Sequence, residues 1–174
     1  MIENFEASFK NILKSEGGYV WDKDDAGGET NLGVTKQAWS EYLKRPIKDG
    51  EMKALTADTV KPFYKKMYWD KLCCDDLPKG VDYAVFDFGV NAGTGRASKF
   101  LQQAVGAVPD GSIGQVTLGK VKAMNPAALL KAFSDQKTSF YKTIVQNNPT
   151  QQKFLNGWMN RVAHVQTSAQ SMMA

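Results

Sequence analysis

The chain has 174 residues and a mass of 19.2 kDa, which suits one ordinary domain or two small ones. Hydrophobic residues make up 43% and charged residues 23% of the sequence, so its composition excludes wholesale disorder, collagen-like repeats and a coiled-coil rod. The net charge of +4 is unevenly distributed, because residues 1–90 carry 13 basic and 16 acidic side chains whereas residues 91–174 carry 9 basic and 2 acidic ones.

This basic C-terminal half indicates either a solvated basic face or attraction to a polyanion such as nucleic acid, an anionic membrane surface or a bacterial cell wall. Its basic residues are dispersed and accompany no recognition motif, so we expect no nucleic-acid binding. No apolar run approaches the roughly 20 residues that span a bilayer, so we expect no stable membrane insertion. The first residues include Glu3 and Glu6 and lack the apolar segment of a signal peptide, which predicts synthesis without a secretory signal.

Helical periodicity begins at the N-terminus, where Ile2, Phe5, Phe9, Ile12 and Leu13 form one apolar stripe that ends at a pair of glycines. Residues 19–33 are rich in Asp and Gly and predict a loop or a small hairpin. Two threonines can then cap helices whose apolar stripes contain several aromatic residues. The caps and stripes are Thr35 with Trp39, Tyr42 and Leu43, and Thr56 with Val60, Phe63, Tyr64, Met67 and Tyr68.

The second half continues as helices separated by short turns. Residues 81–88 predict a buried helix, and a further helix begins at residue 94 or 95 and ends before Gly106. Pro109-Asp110-Gly111 predicts a turn before a short helix to Met124, and Asn125-Pro126 predicts the start of a helix to about residue 146. A last helix from about residue 150 places Phe154, Leu155, Trp158, Met159, Val162 and Val165 on one face. We therefore expect a mainly α body with one irregular segment near its N-terminus.

Metal and redox chemistry find little support in the sequence. Cys73 and Cys74 are adjacent, so a disulfide of normal geometry between them is disfavoured and free thiols are expected. The single histidine, His164, cannot by itself make a zinc site and is expected to be structural or at the surface. We predict neither a metal site nor a cofactor.

The acidic segment that follows the first helix admits three interpretations. Asp22 and Asp24 imitate the start of a calcium-binding loop, but Ala26 and Gly33 stand where oxygen ligands are needed. A solvated acidic loop is the second interpretation. The third is a pair of carboxylates: Glu16, at a helix end among apolar residues, would be partly desolvated and protonated, while an acid in the open loop would stay ionised. Glycosidic hydrolysis requires such a pair of unlike carboxylates.

Several motifs resemble glycoside hydrolase family 108. They are Glu16-Gly17-Gly18-Tyr19, the Asp-rich loop, Gly27-Gly28-Glu29-Thr30-Asn31-x-Gly33-Val34-Thr35, Tyr68-Trp69-Asp70, Leu77-Pro78 and Val85-Phe86-Asp87-Phe88-x-Val90-Asn91-x-Gly93. From Phe100-Leu101-Gln102-Gln103 through Asp110-Gly111-x-Ile113-Gly114 the chain is similar to the peptidoglycan-binding segment that follows in this family. The resemblance covers about residues 8–165. Family 108 proteins are N-acetylmuramidases found as phage endolysins and bacterial secretion activators.

The resemblance implies a lysozyme-like α+β fold. It further implies a catalytic region at residues 1–95 and a helical peptidoglycan-binding region at residues 96–174, packed against it. The expected activity is hydrolysis of the β-1,4 bond between N-acetylmuramic acid and N-acetylglucosamine. We keep two alternatives: a lytic transglycosylase, and a non-catalytic wall-binding or secretion-accessory protein.

The resemblance also implies the roles of individual residues. The motif glutamate, Glu16, would be the general acid. Asp25, which eight residues separate from Glu16, would be its partner, and Thr30 would help to hold a water molecule. Asp22, Asp24 and Glu29 stay open as alternatives to Asp25. Candidates to line the sugar cleft by stacking and hydrogen bonding are Tyr19, Trp69, Phe88 and Asn91.

The expected partner is bacterial peptidoglycan. We expect a monomer that waits in the host bacterial cytoplasm and acts in the periplasm or at the cell wall, with export that depends on a holin or a secretion system.

Overall fold

The computed structural model describes residues 2–23 and 28–174, which form two compact units, residues 2–68 and residues 69–174. Helices dominate, and one three-stranded antiparallel sheet lies in the N-terminal unit. This architecture confirms the predicted mainly α, lysozyme-like α+β class with a small hairpin near the N-terminus.

The helices of the N-terminal unit are α1 (Ile2–Ser15), α2 (Lys36–Leu43) and α3 (Ala57–Tyr64), and α3 runs into a π-helical turn (Lys65–Trp69). Both predicted caps are confirmed, because the Thr35 hydroxyl accepts a hydrogen bond from Ala38 N and the Thr56 hydroxyl accepts one from Thr59 N. The buried core of this unit is largely aromatic. It includes Phe5, Phe9, Ile12, Trp39, Val60, Phe63 and Tyr64.

The sheet is built from very short strands in the order β1 (Val20–Trp21), β2 (Glu29–Asn31) and β3 (Val34–Thr35). Thr30 is the centre of its register, since it pairs with Val20 on one side and with Thr35 on the other. Leu32 and Gly33 join β2 to β3 with φ angles of 51° and 76°. Positive φ at both positions is typical of the tight two-residue hairpin turn.

The C-terminal unit consists of helices α4 (Val81–Ala92), α5 (Thr94–Ala104), α6 (Gln115–Ala123), α7 (Pro126–Asn147) and α8 (Gln152–Met173), with 3₁₀ turns at Cys74–Asp76 and Pro149–Gln151. Every residue of α4 from Val81 to Gly89 is buried, and α5, α7 and α8 pack around this helix. The Asn125 side chain caps α7 as predicted, by accepting hydrogen bonds from Ala127 N and Ala128 N. The predicted stripe of α8 is only partly buried, because Phe154 is 46% exposed.

A buried ion cluster ties three of these helices together. Asp87 of α4 accepts a hydrogen bond from Arg161 of α8 at 2.9 Å and lies 3.6 Å from the ammonium group of Lys137 on α7. Lys137 and Asp87 are each 2% exposed, and burial lowers the pKa of Lys137. Asp87 therefore joins α4 to both α7 and α8 through contacts with two cations.

The division into compact units falls after Tyr68, so α4 packs with the C-terminal helices although it belongs to the predicted catalytic region. The functional division at residue 95, and the packing of the two regions, stay predictions. In the described part of the chain, no helix is both long enough and apolar enough to cross a membrane.

Candidate active site

Glu16 follows the last residue of α1, and its backbone N–H still donates to Ile12 O at 3.1 Å. Its half-buried side chain reaches the turn between β2 and β3. A methyl group in place of a hydrogen of Gly33 would lie only 2.8 Å from Glu16 Oε2 and 2.9 Å from Glu16 Cδ. The carboxyl group therefore occupies the space that a side chain at position 33 would need.

Two tyrosines lie near this carboxyl group. The Tyr64 hydroxyl donates to Leu32 O at 2.7 Å and would lie 2.6 Å from the same methyl group on Gly33. The ring of Tyr68 is 5.7 Å from that of Tyr64, and the pKa of Tyr68 is raised by burial and then by the negative charge of Glu16. We call Gly33, Tyr64 and Tyr68 the Glu16 socket. The socket removes part of the water around a carboxyl group, which is the environment that general acids require.

Glu29 is a second carboxylate of this unit, and both of its oxygens are engaged. The Tyr19 hydroxyl donates to Oε1 and the Lys36 ammonium group donates to Oε2, each at 2.8 Å. The bond from Lys36, followed by that from Tyr19, lowers the pKa of Glu29, and the bond to Glu29 raises the pKa of Tyr19. Glu29 is therefore an ionised anchor that joins β2 to α2 and to the residue before β1.

The register of the sheet separates Glu29 from Thr30. Successive residues of a strand point to opposite faces, and directly paired residues of antiparallel strands share a face. Glu29 pairs with Trp21, whereas Thr30 pairs with Val20 and Thr35. Glu29 and Thr30 therefore project from opposite faces and cannot together hold one water molecule.

The segment between β1 and β2 contains three further acidic residues, Asp22, Asp24 and Asp25. Asp22 is exposed. Asp24 and Asp25 lie outside the described residues, so the predicted roles of Asp25 and Thr30 as a pair stay predictions.

Two of the predicted cleft residues lie in the core of the C-terminal unit. Trp69 is completely buried, with its indole N–H donating to Asp75 Oδ1 at 2.9 Å and its ring edge-on to Phe86. Phe88 is also completely buried, and its neighbours are the rings of Phe100, Phe133, Phe140 and Tyr141. The prediction that Trp69 and Phe88 line a cleft is wrong, because neither ring can present a face to a sugar.

The remaining cleft predictions stay open. Asn91 is exposed at the end of α4, and its side-chain amide donates to the Tyr141 hydroxyl. Tyr19 is half-buried, and the Lys53 ammonium group lies 5.7 Å from the centre of its ring.

The members of the Glu16 socket are not distinguished as site residues by any pattern in the sequence. Tyr64 and Tyr68 were assigned to the apolar stripe of a helix, and their spacing of four residues does place them on one face. Gly33 belongs to a motif that resembles family 108, but only its positive φ and the approach of Glu16 explain why glycine is needed there.

No metal centre is evident in the part of the chain that the structure describes, where no group of three or more His, Cys, Asp or Glu side chains is arranged to hold an ion. Cys73 and Cys74 are free thiols, and burial raises the pKa of both.

Comparisons with known proteins match nearly the whole chain. A family model described as Glycosyl hydrolase 108 matches residues 9–93, and a model described as Predicted Peptidoglycan domain matches residues 96–163. The solved structure titled "Structure of Brucella abortus SagA" is 34% identical to this chain, and the match covers 99% of this chain and 97% of that one with a TM-score of 0.85. No curated protein matches in sequence at a significant level.

Proposed function

The chain belongs to the glycosyl hydrolase 108 family, and on this premise we propose that it is an endo-acting N-acetylmuramidase. Its substrate would be the β-1,4 bond between N-acetylmuramic acid and N-acetylglucosamine in bacterial peptidoglycan. Two observations support the proposal: the match of the C-terminal segment to a peptidoglycan domain, and the position of Glu16 in its socket.

The observation that carries the proposal is the half-buried Glu16 carboxyl group at the end of α1, against Gly33 and near Tyr68. In the proposed reaction, Glu16 gives its proton to the glycosidic oxygen as the bond to the departing sugar breaks. A positive, oxocarbenium-like charge then develops on the muramic acid ring. Partial desolvation of the carboxyl group favours its protonated form, which is the form that a general acid needs.

A second carboxylate is needed to stabilise that charge or to deprotonate the attacking water. We assign this role to Asp25 because of its spacing from Glu16 in the motif, with Thr30 helping to hold the water. Glu29 is a poorer candidate, since both its oxygens are occupied and it projects from the face opposite to Thr30.

The cellular location of the enzyme is also a proposal, and it follows from the family to which the chain belongs. We propose that the enzyme is held in the host bacterial cytoplasm and reaches the wall through a holin or a secretion system, as in a phage endolysin or a secretion-associated muramidase. The net charge of +7 on residues 91–174 would favour retention on the anionic wall.

Product analysis of digested peptidoglycan tests the proposal. A muramidase adds water across the bond and leaves new reducing ends, which borohydride converts to muramitol. A lytic transglycosylase would leave 1,6-anhydro ends, which mass spectrometry distinguishes by the loss of one water. Release of neither product by the folded protein, with binding to the wall intact, would identify a non-catalytic accessory protein and contradict the proposal.

A further inference from the structure

The C-terminal unit carries an open groove of about 550 Å³ between the end of α5 and the first turn of α6. The groove belongs to this unit alone and is lined by Gln102, Ala107, Val108, Asp110, Ser112, Gly114, Gln115, Val116 and Thr117. Neither the Glu16 socket nor the ion cluster around Asp87 contributes to it. Its function is therefore separate from the chemistry assigned to Glu16.

The buried side chain of Gln102 stabilises the turn that forms part of the groove. Gln102 is 1% exposed, and its amide nitrogen donates to Asp110 Oδ1 and Ser112 O at 2.8 and 3.0 Å, with Thr117 Oγ1 at 3.3 Å sharing one of the two hydrogens. Its carbonyl oxygen accepts from Gly111 N at 2.9 Å. These bonds fix the turn from Asp110 to Ser112 before any ligand arrives, so a ligand would not have to order it.

The walls of the groove present apolar groups to water. Val108 is 76% exposed and Val116 is 72% exposed. These are the highest exposed fractions among the large hydrophobic side chains of the described residues. Both line the same groove. A pair of exposed valines on a pre-formed groove indicates a ligand with small apolar groups, since such groups would cover the valines on binding.

Positive charge lies beside these walls. The Lys120 ammonium group donates to Gly106 O at 3.0 Å, next to Ala107, and the methylene chain of Lys99 runs past Gly111. The carboxylate in the lining, Asp110, accepts from Ser112 N and from the Gln102 amide, and these two bonds lower its pKa. The surrounding half of the chain carries a net charge of +7, so the basic side chains around the groove attract an anionic ligand to its edge, whereas the charged residue of the lining itself is Asp110.

We propose that this groove binds the stem peptide of peptidoglycan. The inference rests on the proposed function in one respect, namely that peptidoglycan is the partner. A stem peptide is short, rich in alanine and anionic at neutral pH, so its methyl groups suit Val108 and Val116 and its carboxylates suit Lys99 and Lys120. The glycan strand suits the groove less well, because among the described residues no aromatic side chain lines it to stack on a sugar.

A ligand that the proposed catalytic reaction cannot cleave separates this inference from the muramidase activity. The probe is N-acetylmuramoyl-L-alanyl-γ-D-glutamyl-diaminopimelyl-D-alanine, which has one sugar and hence no β-1,4 bond. It is titrated by isothermal calorimetry into the wild-type full chain and into the Glu16→Gln variant. A peptide-free glycan tetrasaccharide, which has cleavable bonds, is titrated only into chains that carry Glu16→Gln. Because binding of the probe needs no catalysis, failure to release sugar ends would leave this result unaffected.

The discriminating variant is the double substitution Val108→Ser and Val116→Ser, which alters two exposed side chains. Phe154→Ser is the matched control, since Phe154 is an exposed hydrophobic residue of the same unit outside the groove lining. We expect the double variant to weaken probe binding at least tenfold, and the control to leave it within twofold. Unchanged affinity of the double variant, no binding of the probe to the wild type, or equal loss of tetrasaccharide binding in the double variant would overturn the inference.

Discussion

Gly33 faces the carboxyl group of Glu16 so closely that a methyl group at position 33 would lie 2.8 Å from Glu16 Oε2. The proposed general acid, Glu16, therefore fits in its place because Gly33, in the turn after β2, has no side chain. The Tyr64 hydroxyl would lie 2.6 Å from the same methyl group, and Tyr68 is close enough for the charge of Glu16 to raise its pKa after the larger effect of burial.

Gly33→Ala should therefore impair turnover by displacing Glu16. A displacement of about 1 Å in a catalytic group can cost on the order of a hundredfold in rate, so we expect a loss of about that size in muropeptide release. Gly28→Ala is the matched control, because Gly28 also has a positive φ, of 64°, but a methyl group there would meet no described atom within 4 Å. Both variants share the backbone strain and only Gly33→Ala disturbs Glu16, so equal losses in the two would contradict a specific role for Gly33.

Glu29→Gln and Asp25→Asn should have different consequences. If Glu29 is an anchor for Tyr19 and Lys36, its amide replacement keeps the shape and lowers turnover by roughly tenfold or less. Asp25→Asn should lower turnover by about a thousandfold, as expected for loss of a catalytic carboxylate. Initial rates of reducing-end release, measured alongside Asp22→Asn, check this. A larger loss in Glu29→Gln than in Asp25→Asn would reverse the assignment of the second carboxylate.

Two substitutions in the ion cluster, Asp87→Asn and Lys137→Met, should lower the free energy of unfolding by different amounts. Asp87→Asn removes the carboxylate that faces the buried ammonium group of Lys137 and the partly exposed guanidinium group of Arg161, and we expect a loss of about 3 kcal/mol or more in the free energy of unfolding. Lys137→Met keeps the Asp87–Arg161 pair and removes a desolvated ammonium group, so it should cost at least about 1 kcal/mol less. Urea denaturation of the two variants gives both numbers. A costlier Lys137→Met would mean that Lys137, and not Asp87, is the essential partner.

Alkaline pH should weaken the C-terminal unit through Tyr83. Burial, followed by the charge of Asp87, raises the pKa of Tyr83 from 10.0 to about 12. A folded-state pKa above the unfolded one means that this contribution to stability is complete below pH 10 and is lost as the pH rises to about 12. Tyr83→Phe lacks the titrating group, so its melting temperature should fall less between pH 10 and 12 than that of the wild type. If the melting temperatures of the wild type and Tyr83→Phe fell by the same amount between pH 10 and 12, this role of Tyr83 would be ruled out.

Local features of the fold were predictable from the sequence because they depend on neighbouring residues. Thr35 and Thr56 cap helices through bonds to residues three positions later, and Asn125 does so two and three positions later. The mainly α class followed from the periodicity, while the lysozyme-like fold and Glu16 came from the resemblance of the motifs. These features required no knowledge of distant contacts.

The rest depends on residues that meet only in the folded chain. An aromatic stripe does not distinguish core from cleft, so Trp69 and Phe88 were assigned to a cleft although the structure buries both. The approach of Gly33 to Glu16 joins residues 17 positions apart, and the cluster of Asp87, Lys137 and Arg161 joins three helices. No local pattern reports such pairings.

The release of reducing ends from purified peptidoglycan by Glu16→Gln tests the central claim most directly. The amide fills nearly the same space as the carboxyl group but cannot donate the proton, so we predict a rate about a thousandfold or more below that of the wild type. The circular dichroism spectrum and the binding of the stem-peptide probe should be unchanged. A wild-type rate with an unchanged spectrum would contradict the role of Glu16 as general acid.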